Sequence, residues 1–97
     1  MLFRSYLIVN VEVLNPARYP EYTAQVPATI AAYGGRFIVR GGTAERLEGD
    51  YDPKRMVVIE FPSAERARAW WSSPEYGPAK ALRQALAKTD MILVEGV

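Results

Sequence analysis

Few side chains in this chain can do chemistry, and their types restrict it sharply. Among 97 residues there is neither a Cys nor a His. Thiolate nucleophiles, imidazole bases, structural zinc and haem ligated by His or Cys are therefore excluded. Proton transfer has to run through a carboxylate, Tyr, Lys or bound water. Carboxylates alone can hold Mg²⁺ or Ca²⁺, but no acidic cluster has the spacing of a calcium loop, so neither a metal nor a cofactor is expected.

The polar candidates are Asn10, Arg40 and Glu60, which interrupt otherwise apolar runs. A bidentate Arg40 suits a carboxylate ligand. Arg40 and Glu60 can equally form an ion pair that fixes the register of an interface. Glu60 as a general base needs burial to raise its pKa, and a neighbouring Arg opposes that. The aromatic candidates are Tyr22, Trp71 and Tyr76, alongside Trp70. Aromatic stripes on helices usually pack a core. Adjacent Trp70 and Trp71 cannot point the same way, however, so one of them can border a pocket between helices and sheet.

A third candidate is "YGGRFIVRGG", Tyr33–Gly42, where two glycine pairs bracket a short apolar run. Neither pair opens a helix or precedes Lys-Ser or Lys-Thr, so a phosphate cradle lacks its parts. The pairs read as backbone geometry, a helix end at Gly34 and a strand bulge at Gly41-Gly42. Twelve basic and eleven acidic side chains nearly cancel. Capture of nucleic acid or an anionic membrane is not indicated.

The elements that must position these groups follow from periodicity. Residues 5–13 alternate well, with Leu7, Val9, Val11 and Val13 on a dry face and Tyr6, Ile8, Asn10 and Glu12 on a mixed one, which predicts a strand. Asn15-Pro16 signals a helix start, and Pro20 offers a second one. Tyr19, Tyr22, Val26, Ile30 and Tyr33 then form a helical stripe, with a bend expected at Pro27. "RFIVR" and "RMVVIEF" read as strands. Pro62-Ser63 and Ser73-Pro74 start two helical segments, the second with Ala79, Leu82, Ala85 and Leu86 on its stripe. "DMILVEGV" is the last strand. The opening residues read as a strand rather than a secretion signal, and no run reaches membrane-spanning length, so a cytoplasmic protein is expected.

Strand, helix, strand, strand, helix, strand is the ferredoxin-like βαββαβ order of an α+β fold. It predicts one domain over residues 1–97, with helices on one face of a four-stranded antiparallel sheet. Alternation puts Leu7, Val9, Val11, Phe37, Val39, Val57, Ile59, Ile92 and Val94 under the helices. Tyr6, Ile8, Asn10, Ile38, Arg40, Met56, Val58, Glu60, Met91, Leu93 and Glu95 then fall on the uncovered face. Such a face is too apolar to stay wet, which points to a two-fold homodimer. On it, Arg40 and Glu60 become candidate cross-strand neighbours, depending on the bulge.

The linked pattern "GGRFIVRGG…LEG…IEFPS…SPEY", with "ARYPEYTAQVPATIAAYGG" before it and "LRQA" and "LVEG" after it, resembles the domain-of-unknown-function 1330 family over almost the whole chain. The resemblance implies a ferredoxin-like dimeric α/β barrel and no established activity. Many members carry His before the first glycine pair where this chain has Tyr33, so an imidazole role does not transfer. Relatives in that superfamily include cofactor-independent oxygenases acting on aromatic substrates.

Three readings follow. In the first, a homodimer binds a small acidic or aromatic molecule in a pocket near the uncovered face, with Asn10, Arg40 and Glu60 as polar contacts and Tyr22, Trp71 and Tyr76 as walls. In the second, the same pocket runs cofactor-independent oxygenase or isomerase chemistry. In the third, the dimer is purely structural. A cavity of roughly 300 Å³ or more walled by Arg40 or Glu60 would favour binding.

Overall fold

The computed structural model describes residues 3–97. Strand β1 spans Ser5–Val13, helix α1 Tyr19–Ala32, β2 Arg36–Gly42 and β3 Arg55–Phe61. Helices α2 (Ala64–Trp71) and α3 (Gly77–Leu86) follow, and β4 (Ala87–Glu95) leaves α3 directly. The sheet order is β2-β3-β1-β4 with every pair antiparallel, the ferredoxin-like arrangement. The helices lie on one face. No helix among the described residues is long and apolar enough to cross a membrane.

Local chemistry explains the boundaries. Asn15 does not cap α1. It closes the turn before it, its carbonyl accepting from Tyr19 N and its Oδ1 from Arg18 N. The helix starts instead with Pro20 in its first turn. It runs through Pro27 as one element. Pro27 has no N–H to offer the Thr23 carbonyl four residues earlier. Arg40 Nη2 supplies a donor there at 3.3 Å. Gly34 ends α1 with φ 79°, a left-handed cap that suits glycine. Ser63 caps α2, its Oγ accepting from Arg66 N.

The core lies between helices and sheet. Leu7, Val9 and Val11 face it from β1, Val57, Ile59 and Phe61 from β3, and Val26, Ile30, Ala67, Trp70 and Tyr76 from the helices. Trp70 stacks on Tyr76 with ring centroids 4.0 Å apart. Its Nε1 donates to Thr29 Oγ1, so the buried indole leaves no polar atom unpaired.

Two strands differ from the faces expected of them. On β4, Met91 and Leu93 pack against the core, while Ile92 and Val94 lie on the open face. Their partners on β1 decide this, because Leu93 stands opposite Leu7 and Ile92 opposite Ile8, and directly opposed residues share a face. The run "MILV" is apolar throughout, so its phase was invisible in sequence. On β2, a register shift between Phe37 and Val39 precedes the one at the glycine pair. That first bulge reverses the strand's phase. Val39 therefore opposes Val58 on the open face, and Arg40 opposes Val57 on the helix side. Arg40 and Glu60 are consequently not neighbours; Glu60 stands opposite Arg36.

The open face is ordered in rows. Val39, Val58, Ile8 and Ile92 form an aliphatic row across all four strands. Arg36, Glu60, Tyr6 and Val94 make the next row on one side, and Gly42, Met56, Asn10 and Asp90 the next on the other.

Candidate functional site

The six side chains singled out from sequence do not share one pocket. Asn10 sits on the open face, where its Nδ2 donates to the Asp52 carbonyl and its Oδ1 accepts from Lys54 N. Both ends of the amide are thereby used in pinning the β2–β3 loop to the sheet. Glu60 is on the same face, its Oε1 accepting from Arg4 Nη1 at 2.9 Å and Arg36 Nε at 3.0 Å. The Arg36 hydrogen bond, helped by the charges of Arg36 and Arg4, holds this carboxyl below the ordinary glutamate range against the cost of its desolvation. Such a group is a poor base. A pocket near the uncovered face built from Arg40, Tyr22 and Tyr76 is thus corrected, because those three lie on the helix side.

There, Tyr22 and Tyr76 are buried and their hydroxyls meet at 3.0 Å. Arg83 Nε donates to Tyr76 Oη at 3.1 Å. The three side chains form one chain of hydrogen bonds running from α3 through the α2–α3 turn to α1. Ser73 Oγ fixes the middle of it by accepting from Tyr76 N and donating to the Trp70 carbonyl. Burial, and then its contact with Tyr76, push the Tyr22 phenol far above its usual value of 10. It remains a neutral hydroxyl at every physiological pH.

Arg83 was missed from sequence. The signal was present: Ala79, Arg83 and Leu86 are spaced four and three apart on the buried stripe of α3. A stripe drawn through Leu82 and Ala85 instead leaves this basic residue off the buried side. Arg83 is only 6% exposed. Among the described residues it has no acidic partner within salt-bridge distance.

Arg83 lines two spaces. The first is a narrow channel of about 30 Å³ between α1 and the sheet, walled by Tyr19, Tyr22, Phe37, Arg40 and Arg55 as well. No Asp or Glu belongs to its lining. Burial raises the Tyr19 phenol, and the charges of Arg55, Arg83 and Arg40 pull it partly back. Arg40 is held over the Phe37 ring, 4.4 Å from its centroid, by the bond to the Thr23 carbonyl. Arg55 reaches its place because Gly41, at φ 73°, has no Cβ to exclude the guanidinium. The glycine pairs act through shape, and one of them makes room for a cation.

The second space is a cleft of about 630 Å³ under β4, between that strand and helices α2 and α3. Trp71, 44% exposed, forms part of its wall, while Trp70 lies in the core. Lys80 Nζ stands 3.8 Å from the Trp71 ring centroid and donates to the Trp71 carbonyl, fixing the indole. A cavity of ligand size exists, then, with Arg83 in its wall rather than Arg40 or Glu60. No group of three or more Asp or Glu that could hold a metal occurs among the described residues.

Comparison with known proteins supports the fold. A protein of unknown function from Rhodopseudomonas palustris has a TM-score of 0.79 at 18% identity, over 100% of this chain and 85% of that one. SnoaB, a cofactor-independent oxygenase from Streptomyces nogalater, has a TM-score of 0.68 at 17% identity, over 98% of this chain and 94% of that one. At such identities the likeness concerns the backbone alone. No curated protein matches the sequence. The family profile described as a domain of unknown function, DUF1330, matches residues 4–97, and the chain belongs to that family.

Proposed function

We propose that this protein is a homodimer that binds a small molecule between its helices and its sheet, with a negatively charged or strongly accepting group of the ligand set against Arg83. One observation carries the reading: a buried guanidinium without a carboxylate partner stands in the walls of both the channel and the cleft. An unpaired buried charge is costly, and an anionic ligand offsets that cost. Tyr22, Arg40 and Tyr76 contribute from the channel side, Tyr76 through its hold on Arg83. Trp71 walls the cleft. Asn10 and Glu60 serve the open face instead, where they flank the aliphatic row that a second copy covers.

A thermal-shift screen of metabolites tests this. The expected result is stabilising hits, predominantly acids, that disappear in Arg83→Met. A broad library without a single hit, or hits indifferent to Arg83→Met, would contradict it. The dimer is checked by sedimentation of Val58→Lys, which is expected to run as a monomer where the unaltered chain runs as a dimer.

A second reading, cofactor-independent oxygenation, draws support from the backbone likeness to SnoaB. It predicts oxygen consumption with an aromatic hit, abolished by Tyr76→Phe in a protein that still folds. Binding without turnover under aerobic conditions would count against it.

A further inference from the structure

Among the described residues, Thr89 carries the buried side-chain oxygen that has no hydrogen-bond partner. An orphaned hydroxyl is destabilising, and valine would fill the same space without that penalty. Thr89 stands opposite Val11 on the helix side of β4 and lines the 630 Å³ cleft. Arg83 shares that wall. Its Nε is used by Tyr76, and its remaining guanidinium nitrogens have no partner among the described residues. Arg68 is the second cation of the lining, and no Asp or Glu belongs to it. Leu7, Ala67, Trp71 and Leu93 make the rest of the wall largely apolar.

We propose that this cleft binds a monocarboxylate with an apolar body. The carboxylate accepts from the free edge of Arg83 and from the Thr89 hydroxyl, and the body lies against Trp71 and Leu93. Thr89 Oγ1 is sealed from solvent; a turn of roughly 120° in χ1 to another staggered position, with Hβ and the methyl moving round in turn, brings the O–H to the ligand. Arg83 is the buried cation of this lining and accounts for one carboxylate, whereas Arg68 is exposed and keeps its hydration. The proposal rests on the small-molecule reading and adds the ligand's chemistry and its place.

The probes are trans-cinnamate and octanoate, each beside its neutral amide, titrated by tryptophan fluorescence and by NMR. Each acid is expected to bind about tenfold tighter than its amide. Thr89→Val is expected to raise the melting temperature of the ligand-free protein while weakening the acids roughly three- to tenfold. Arg83→Met is expected to erase the preference for acid over amide. Amides that bind as well as acids, or acids that fail to bind at millimolar concentration, overturn the proposal. So does acid binding that responds to Arg40→Ala but ignores Thr89→Val and Trp71→Leu; that result moves the ligand to the narrow channel and leaves the small-molecule reading standing. If the broad metabolite screen also yields nothing, both fall together.

Discussion

Tyr76→Phe isolates the hydrogen-bond chain on which the interior depends. The phenyl ring keeps its stack on Trp70, whose centroid is 4.0 Å away, so packing is preserved. What goes is a single oxygen that serves two partners, Arg83 Nε at 3.1 Å and Tyr22 Oη at 3.0 Å. A hydrogen bond from a charged donor contributes about 1.5–3 kcal/mol, and leaving the buried Tyr22 hydroxyl unpaired costs about 1–3 kcal/mol more. Tyr76→Phe should therefore destabilise by roughly 3–5 kcal/mol, a large share of the about 5–15 kcal/mol typical of a domain. Tyr22→Phe removes only the neutral bond and leaves Arg83 paired, so its cost should be near 1 kcal/mol. The double variant should cost less than the sum of the two, because Tyr22 no longer has a hydroxyl to orphan. Urea unfolding with an unchanged m-value reads all three differences. Equal costs for Tyr76→Phe and Tyr22→Phe, or strict additivity, would refute the reasoning.

Three further outcomes follow from named contacts. Arg40→Ala should cost about 1 kcal/mol of unfolding free energy, and that cost should shrink in a Pro27→Ala background, where an N–H is restored to the Thr23 carbonyl and only the contact with Phe37 is lost. Glu60 is held below its ordinary value of 4.5 by Arg36 and Arg4, so its contribution is intact above that pH and drains as the solution is acidified through the folded value; Glu60→Gln should flatten the acid limb of a plot of melting temperature against pH. Gly41→Ala should cost about 1–2 kcal/mol for a left-handed residue and more for displacing the Arg55 guanidinium, seen as a lower urea midpoint and a shifted Arg55 side-chain NMR resonance.

How much of this was legible in sequence depended on whether a residue's neighbours were local. Strand β1 showed its two faces because its apolar residues alternate with Tyr6, Asn10 and Glu12, and the stripe of Tyr19, Tyr22, Val26 and Ile30 survived Pro27 intact. The phase of β4 was not legible, since Met91 to Val94 are all apolar and only pairing with β1 distinguishes them. Nor was the first bulge of β2, where "FIVR" contains no glycine or proline to mark it. That single extra residue carried Arg40 from the open face to the channel and dissolved the anticipated pair with Glu60. The meeting of Tyr22 with Tyr76, 54 positions apart, is a product of tertiary packing. Both read as aromatic walls in the sequence, but nothing local reveals that their hydroxyls touch.

The most direct test is a crystal structure of the protein with the tightest acid found by screening. The acidic group is predicted to lie within hydrogen-bond distance of Arg83, inside the space enclosed by helices and sheet. A ligand seated on the open face beside Asn10 and Glu60, with Arg83 still directed at Tyr76 alone, would contradict the account.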